Sequence, residues 1–281
     1  MATPPAGLVT VFLALLVLLP AASISLSPLK TRTYHKPKAG LAWSDQNSTD
    51  ISQFLGPRVS WYYTWGAKGY VNNASEIEFV SMLWGSEQIE SFNETIQDSI
   101  QTLNITTVLG MNEPQEPSQA NITAAEGAVM WKKYLEPLKA RGIRLGSPAP
   151  SGSPTSKPWL QDFITECDGN CTVDFLALHW YNTNATAFKE FLCDFHHEFQ
   201  RNIWVTEWAC QNMNGPDNQC TLTEIIDFLR ETQLFMDQTD WVERYAWYGA
   251  KRNLHGVNPN DAMVDPDGVI NDLGRQYISE F

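Results

Sequence analysis

Short apolar runs recur along the chain at intervals of about 20 to 40 residues, and polar or turn-forming residues bound each of them. Val, Ile, Leu and aromatic residues dominate the runs, which predicts β-strands at 38–44, 58–65, 78–85, 107–114, 144–150, 174–181, 202–209 and 242–249. Segments with helical periodicity separate most of them, at 86–103, 124–141, 185–201 and 222–237. This alternation predicts successive βα units and a mostly parallel sheet.

Eight βα units in a chain of this length predict an α/β fold, a single (β/α)8 barrel of the TIM type. The first two units are about 20 residues each, so we expect their helices to be short or irregular. An open doubly wound sheet is the alternative, but it would place a Gly-rich phosphate turn where this chain has Asp-Gln-Asn at 45–47. The Pro, Ser and Gly residues of 146–158 predict one long loop after the fifth strand.

The beginning of the chain follows a different pattern. Residues 8–19 are apolar apart from Thr10, a run too short to span a bilayer, and small residues follow at 21–23. We therefore expect a signal peptide at 1–23, an N-terminal extension at 24–36 and the barrel domain at 37–281. A retained signal anchor is the alternative. No later stretch is apolar enough to cross a membrane, which predicts a secreted protein without membrane contact after signal removal.

Charge narrows the range of partners. The chain has 19 Lys and Arg against 32 Asp and Glu, a formal net charge of −13 over 281 residues. Such a surface repels phosphate backbones, so we expect no binding to nucleic acid. Trp is over-represented, with 11 residues in the chain. Because flat apolar rings suit neutral ligands such as sugars, this favours a sugar as the ligand.

Two further patterns agree with secretion. Sequons for N-glycosylation stand at Asn47, Asn73, Asn93, Asn104, Asn121, Asn170 and Asn184. All five cysteines follow the predicted signal peptide, so disulfides are allowed. Turn-forming residues between them favour Cys167–Cys171 and Cys210–Cys220 with Cys193 left over, although the spacing is compatible with other pairings. A zinc site is disfavoured because no C-x-x-C pair exists.

Two carboxylates stand near the ends of apolar strands, where a barrel of this type places its active site. Glu113 ends the fourth apolar run in Asn-Glu-Pro at 112–114, and Glu207 lies in the aromatic strand Trp-Val-Thr-Glu-Trp at 204–208. A buried charge is costly unless it is paired, so each Glu is either part of a structural ion pair or a functional group. Glycosidic bond cleavage needs two such carboxyl groups, one to protonate the leaving oxygen and one to attack the sugar or activate water. Glu116 is the first alternative to Glu113.

These motifs resemble the fourth-strand and seventh-strand signatures of clan A glycoside hydrolases. The similarity extends to Gly-Leu-Ala-Trp at 40–43, Trp-Tyr-Tyr-Thr-Trp at 61–65, Met-Leu-Trp-Gly at 82–85 and His-Trp-Tyr at 179–181. Together they resemble the fungal alkali-sensitive-linkage-like glycosyl hydrolases, glycoside hydrolase family 128, over about 37–281. The resemblance implies β-1,3-glucan as the substrate, and we expect neither a metal nor an organic cofactor.

The resemblance also implies roles for single residues. Glu113 matches the acid/base, Glu207 the nucleophile of a retaining double displacement, and Asn112 the residue that hydrogen-bonds the sugar 2-hydroxyl. His179 and Tyr181 share one face of the sixth strand. We expect Tyr181 to donate to Glu207, and His179 to contact sugar or support the site, a core histidine being the alternative. Candidate sugar platforms, each of which could instead be a core residue, are Trp43, Trp65, Trp84, Trp208 and Trp247.

The sequence therefore predicts a secreted, monomeric glycosidase that cleaves β-1,3-glucan of fungal cell walls in endo mode through two Glu residues. Two alternatives stay open. One is a cell-wall β-glucan-binding protein with little or no activity, and the other is a hydrolase of a different β-linked glycan, because the two-carboxylate chemistry is indifferent to which hydroxyl leaves.

Overall fold

The computed structural model describes residues 1–2, 37–43, 51–69 and 77–279. Apart from its first two residues, the predicted signal peptide lies outside these ranges, as do the N-terminal extension and the sequons at Asn47 and Asn73. The predicted domain boundaries therefore stay predictions.

Eight parallel strands form the barrel, which confirms the predicted fold class. They are β1 (Ala39–Ala42), β2 (Val59–Tyr63), β3 (Glu78–Met82), β4 (Thr107–Leu109), β5 (Arg144–Gly146), β6 (Leu176–Tyr181), β7 (Ile203–Ala209) and β8 (Val242–Trp247). The strand order is β5-β4-β3-β2-β1-β8-β7-β6, and every pair is parallel. A parallel bridge between Gly146 and Phe175 joins the two edges. The sheet is thus a nearly closed barrel and not an open doubly wound sheet.

Helices surround the barrel. Among the described residues they are α1 (Ile89–Thr102), α2 (Ala124–Met130), α3 (Ser156–Cys167), α4 (Ala185–Phe199), α5 (Leu222–Gln238) and α6 (Asp272–Ile278). The described part of the first two units contains one short 3-10 turn, Ser52–Phe54, which agrees with the expected short connections. No described helix combines the length and the apolar composition that crossing a membrane requires.

The segment predicted as helical at 124–141 is helical throughout, but its helix type changes along its length. A capping box between Thr123 and Glu126 starts α2. The backbone then passes through a π-helical turn, Trp131–Leu135, and a 3-10 segment, Glu136–Arg141. Pro137 explains the change, because it has no N–H to continue the α-helical hydrogen-bond ladder. Gly142, with φ of 78°, ends the segment.

Helix α3 begins inside the segment predicted as one long loop at 146–158, so that prediction was wrong at its end. Pro158 was taken as a loop residue, yet it lies in the first turn of the helix. The first N–H groups of a helix have no partner within it, so a proline is tolerated there. The loop after β5 is correspondingly shorter.

Strand side chains divide between two apolar layers. The barrel interior is filled mainly by large side chains, among them Trp61, Tyr63, Val80, Met82, Leu109, Phe175 and Trp204. The outer faces of the strands pack against the helices. Gly40 on β1 makes room for the interior Trp61, since a Cβ there would lie 2.2 Å from the indole ring.

Strand β7 interrupts the regular alternation between these layers. Its register with β6 passes from the pair Leu178–Val205 to the pair His179–Glu207, so Thr206 is an extra residue. Such a β-bulge re-aims the side chains that follow it. Trp204 packs in the interior and Trp208 in the outer layer, while Glu207 bonds side chains of β2 and β6. The bulge therefore directs the side chain of Glu207 towards the inside of the barrel.

Both favoured disulfides are present. Cys167 pairs with Cys171 after α3, Cys210 pairs with Cys220 between β7 and α5, and Cys193 is free and exposed. The Asn residues of the five described sequons are all exposed, namely Asn93, Asn104, Asn121, Asn170 and Asn184. Exposure meets one requirement for glycosylation, which itself stays a prediction.

Candidate active site

Polar side chains from four strands meet at the carboxyl end of the barrel. Tyr63 is the last residue of β2, Glu113 follows β4, His179 and Tyr181 lie on β6, and Glu207 lies on β7. The carboxyl ends of parallel barrel strands share one edge, so residues distant in sequence come together there.

Glu207 is almost buried, with 5% of its surface exposed, and hydrogen-bond donors reach both of its carboxylate oxygens. Oε1 accepts from Trp65 Nε1 at 2.6 Å and from the Tyr63 hydroxyl at 3.2 Å. Oε2 accepts from the Tyr181 hydroxyl at 2.5 Å, the bond that the sequence predicts. These neutral donors stabilise a negative charge on this carboxylate.

The two tyrosines are fixed as donors. Burial, together with the charge of Glu207, raises the pKa values of both the Tyr63 and Tyr181 hydroxyls well above their ordinary range. Both hydroxyls therefore keep their protons at neutral pH. The Tyr181 hydroxyl donates to Glu207, and the Tyr63 hydroxyl lies within hydrogen-bond distance of both Glu207 and the Thr206 carbonyl, at 3.2 and 3.0 Å.

Glu113 sits on an unusual backbone. After β4 the chain continues to a parallel bridge between Asn112 and Ala149, and the Glu113 N–H donates to the Ala149 carbonyl at 2.8 Å. Glu113 itself has φ of 38°, and Trp65 at the other side of the site has φ of 55°. Non-glycine residues in this left-handed region cost about 1–3 kcal/mol each, and such strain concentrates at functional sites.

A histidine links the two carboxylates. His179 is 0% exposed, and its Nδ1 lies 2.9 Å from Glu113 Oε1 and 3.5 Å from Glu207 Oε2. Burial acts to lower the pKa of His179, but the charge of Glu207 and the hydrogen bond with Glu113 outweigh it and the pKa is raised. The ring has no exposed surface and lies beside both carboxylates. This arrangement supports the second of the two expected roles, support of the site, and a sugar contact by His179 stays a prediction.

The protonation of Glu113 differs from that of an ordinary surface carboxylate. Only 9% of the residue is exposed. Burial raises the pKa of Glu113, the hydrogen bond and charge of His179 oppose that effect, and the charges of Glu207 and Glu116 add to it. The net direction is upward, so the neutral acid persists to higher pH than in a solvated glutamic acid.

The two carboxyl groups are close together. One oxygen of Glu113, one oxygen of Glu207 and a ring nitrogen of His179 all lie within 4.8 Å of one another. Such a cluster is small enough to hold a cation, but O–H and N–H donors already occupy both oxygens of Glu207. The geometry fits a pair of reacting carboxyl groups, and the absence of a metal cofactor stays a prediction.

Asn112 lies beside Glu113 and is held by a residue that the sequence did not indicate. Its Nδ2 donates to Gln119 Oε1 at 3.1 Å. Its Oδ1 is buried and has no hydrogen-bond partner among the described residues. An oriented amide with a free oxygen is suited to bind a sugar hydroxyl, so the role implied for Asn112 remains a proposal that the geometry supports.

The five candidate tryptophans separate into two groups. Trp65 and Trp84 are partly exposed and pack on the interior cluster at the barrel mouth, where they remain candidate platforms. Trp43, Trp208 and Trp247 are at most 1% exposed and belong to the outer layer between strands and helices. The structure assigns these three to the core and not to sugar platforms, because their rings face the helices.

Sequence reasoning did not single out Tyr63, Gln119, Tyr248 or Lys251 as residues of the site. Tyr248 follows β8, and its ring contacts those of Tyr181 and Trp65 at centroid distances of 5.6 and 5.9 Å. Lys251 lies against the rings of Trp65 and Tyr248. Both follow the last strand in an irregular loop, where periodicity carries no signal.

Comparison with known proteins shows the family. The glycosyl hydrolase catalytic core family matches residues 40–277, which is nearly the whole described barrel. The chain belongs to this family. Alkali-sensitive linkage protein 1 of Schizosaccharomyces pombe is 31% identical over 248 residues, covering 86% of this chain and 44% of that protein. The chain thus spans less than half the length of this curated relative.

Solved structures of glycoside hydrolase family 128 have the same fold, which confirms the predicted family. A curdlan-specific exo-β-1,3-glucanase of Blastomyces gilchristii, solved with glucose, is 31% identical with a TM-score of 0.72 over 86% of this chain and 98% of that chain. An endo-β-1,3-glucanase of Sorangium cellulosum is 26% identical with a TM-score of 0.72 over 86% and 98%. An oligosaccharide-binding protein of Cryptococcus neoformans is 26% identical with a TM-score of 0.71 over 86% and 93%.

Proposed function

We propose that this protein hydrolyses β-1,3-glucan by a retaining double displacement. The observation that carries the proposal is the close pair of Glu113 and Glu207, with an oxygen of each inside a cluster 4.8 Å across. Carboxyl groups are about 5–5.5 Å apart in retaining glycosidases and about 6.5–9.5 Å apart in inverting ones, where a water must fit between. An oxygen–oxygen separation of at most 4.8 Å is compatible with the closer arrangement and supports direct attack by a carboxylate.

Glu207 is the nucleophile in this proposal. Its donors, Tyr63, Trp65 and Tyr181, stabilise the anion and leave it aimed from the strand end towards the cleft. Attack on the anomeric carbon forms a covalent glycosyl ester and breaks the bond to the leaving oxygen. The same donors then stabilise the carboxylate when it departs in the second step.

Glu113 is the acid and then the base. Burial keeps its carboxyl group protonated in the first step, in which it gives its proton to the leaving oxygen. The resulting carboxylate accepts the hydrogen bond of His179 at 2.9 Å, which stabilises the charge that appears. In the second step it takes a proton from the water that cleaves the glycosyl ester.

The substrate class rests on the relatives. Two of them, at 31% and 26% identity, are described as β-1,3-glucanases. We retain endo attack as the finer proposal, because the Sorangium cellulosum relative is described as an endo enzyme, whereas the Blastomyces gilchristii relative is described as exo. Endo attack releases a ladder of oligosaccharides from laminarin, and exo attack from a chain end releases glucose as the first product.

The test combines product analysis with one variant. Proton NMR during hydrolysis of a β-1,3-glucan oligosaccharide should show the β-anomer first, which is retention. Glu207→Gln keeps the size of the side chain but removes its charge, so turnover should fall by about 10⁴-fold or more. First-formed α-anomer would contradict the retaining mechanism, and turnover kept by E207Q would remove Glu207 as the nucleophile.

Glu116 provides the matched control. It lies three residues after Glu113, is half-buried, and accepts a hydrogen bond from Ser151 at 2.6 Å. Glu116→Gln should keep activity within a few-fold of wild type. Loss of activity in E116Q together with retained activity in Glu113→Gln would transfer the acid/base role to Glu116.

A second candidate function is sugar binding without hydrolysis. A relative of 26% identity and TM-score 0.71 is described as an oligosaccharide-binding protein. In this chain Glu207 is surrounded by hydrogen-bond donors that stabilise its anion, while the pKa of the nearby Glu113 is raised. This pair of an anion and an acid favours catalysis over that candidate. Oligosaccharide that binds the wild-type protein and stays intact on prolonged incubation would favour the binding protein. Preferential cleavage of another β-linked glycan in a substrate panel would replace β-1,3-glucan as the proposed substrate.

We also propose that the protein acts as a secreted monomer at the cell wall. The apolar run at 8–19, two disulfides and five exposed sequons support this route. Recovery of the protein from culture medium, with a mass that falls after enzymatic deglycosylation and an N-terminus near residue 24, is the expected result.

A further inference from the structure

Lys251 is a nearly buried cation that the proposed mechanism does not use. Only 7% of the residue is exposed. Its backbone N–H donates to the Gly249 carbonyl at 2.8 Å, in a tight loop that directly follows β8. Gly249 cannot carry a side chain there, since a Cβ would lie 2.2 Å from the Asp261 carbonyl oxygen. The loop therefore holds Lys251 at the carboxyl end of the barrel.

The ammonium group lies in the corner between two aromatic rings of the active site. Nζ is 3.8 Å from the ring centroid of Trp65 and 3.8 Å from that of Tyr248. The two rings are 5.9 Å apart and inclined by 74°. Trp65 donates to Glu207, and Tyr248 contacts Tyr181, which also donates to Glu207. Lys251 is thus in direct contact with the residues that surround the proposed nucleophile.

This ammonium has no protein acceptor within the described part of the chain. No carboxylate lies within ion-pair distance of Nζ, and Nζ makes no side-chain hydrogen bond there. Contacts with two ring faces offset part of the cost of burying the charge, but they leave its N–H groups without acceptors. Burial lowers the pKa of Lys251 to about 8, with the charge of Glu207 opposing the shift.

The surroundings indicate which ligand those donors suit. The anionic Glu207 lies in the same site and disfavours an anionic ligand by repulsion. A neutral ligand with several oxygen acceptors next to aromatic rings fits both the donors and the charges. A glucosyl unit has this chemistry, since its hydroxyl oxygens accept hydrogen bonds and its ring face packs on an aromatic side chain.

We propose that Lys251 is a sugar-binding residue whose ammonium group donates hydrogen bonds to hydroxyl oxygens of the glucosyl unit held beside Glu207. The proposal rests on the proposed function, because it assumes that this cleft binds glucan. It extends that function by naming a cation as the group that orients a neutral sugar against the nucleophile.

The experiment measures binding separately from hydrolysis. Affinity for laminaripentaose is determined by calorimetry in the E207Q background, with Lys251, Lys251→Met or Lys251→Arg. Met preserves the length and apolar stem of the side chain but removes the donors, so affinity should fall by about 10- to 100-fold, the range for hydrogen bonds to a charged group. Arg preserves charge and donors and should restore at least part of the affinity.

The outcomes separate this inference from the function on which it rests. Hydrolysis of β-1,3-glucan by the wild-type protein, with K251M and Lys251 binding equally well, would overturn the role of Lys251 alone. A wild-type protein that neither binds nor cleaves the glucan would overturn both proposals. Thermal melting identifies a variant that fails to fold, and in that case Lys251→Leu, which is smaller and also lacks a donor, replaces K251M and should show the same loss.

Discussion

The two ends of the barrel each hold a cation over a pair of aromatic rings, but only one of the cations has a carboxylate partner. Near the start of β8, Arg244 lies 4.5 and 5.6 Å from the centroids of two tryptophan rings and bonds Glu78 at 2.5 Å. Beyond the end of β8, Lys251 lies against two rings, and within the described residues it has no carboxylate partner. Both cations contact aromatic rings, but the described part of the protein supplies a carboxylate partner only for Arg244.

The carboxylates at the two ends show the same contrast. Glu243, at the amino end, accepts hydrogen bonds from Trp204, Asn202 and Arg144. Burial acts to raise its pKa, but these bonds and the charge of Arg144 outweigh it, so the pKa of Glu243 is lowered. Glu113, at the carboxyl end, has no Arg or Lys ion-pair partner in the described residues and its pKa is raised.

This difference distinguishes a structural charge from a functional one. A carboxylate with cationic and neutral donors is held ionised and contributes to folding stability. A buried carboxyl group without such partners costs stability and keeps a proton that it can transfer. Glu207 and Glu243 both lie in aromatic strands, so their neighbours in sequence do not distinguish the functional carboxylate from the structural one. Their partners in space do.

Exchanging each carboxyl group for its amide tests the comparison directly. Glu113→Gln removes the transferable proton, so turnover of glucan should fall by about 10²- to 10⁴-fold, the range for a general acid. Turnover of a dinitrophenyl laminari-oligoside should fall much less in its glycosylation step, because that leaving group departs without protonation. In the wild type, activity should decrease as pH rises through the raised pKa of Glu113. An equal loss on both substrates would contradict the acid role.

Most of the fold follows from the sequence, and the departures have local causes. Eight apolar runs predict the eight strands because each strand buries both faces, one in the barrel and one under the helices. The end of the loop predicted at 146–158 was wrong, and the helical segment predicted at 124–141 is present but changes from α-helical to π-helical and 3-10 geometry, because the effect of Pro depends on its position. Pro158 is tolerated in a first turn, whereas Pro137 inside a helix changes its hydrogen bonding.

The sequence predicted those site residues that a short sequence motif identifies. It did not predict those whose role depends on the direction of the side chain. Glu113 and Glu207 stand out as carboxylates in apolar strands. Trp208 was misjudged although adjacent strand residues face opposite sides, so an inward Glu207 implies an outward Trp208. The bulge at Thr206 and the loop that positions Lys251 leave no periodic signal, so only the three-dimensional structure places them.

Two tyrosines offer a finer comparison, since each donates its hydroxyl to a carboxylate. Tyr181 bonds Glu207 at 2.5 Å, and Tyr245 bonds Asp237 at 2.6 Å away from the carboxyl end. Tyr181→Phe removes one of three donors to the nucleophile, so kcat/KM should fall by about 10- to 100-fold. Tyr245→Phe should cost about 1 kcal/mol of unfolding free energy and leave kcat/KM within about two-fold. Similar kinetic losses in both variants would indicate that Y181F acts through the fold.

The amino end should respond to an amide substitution in stability and not in activity. Glu243→Gln weakens three hydrogen bonds at a partly buried carboxylate, so the unfolding free energy at neutral pH should fall by about 1–2 kcal/mol. Because the folded pKa of Glu243 lies below that of the unfolded chain, its stabilisation is present above the unfolded value and is lost as pH falls through the folded one. Denaturant unfolding of both proteins should therefore differ most near pH 7 and converge as the pH falls below the lowered pKa of Glu243, while glucan turnover at the optimum stays unchanged. A difference that persists at low pH would show that Glu243 acts through packing and not through its charge.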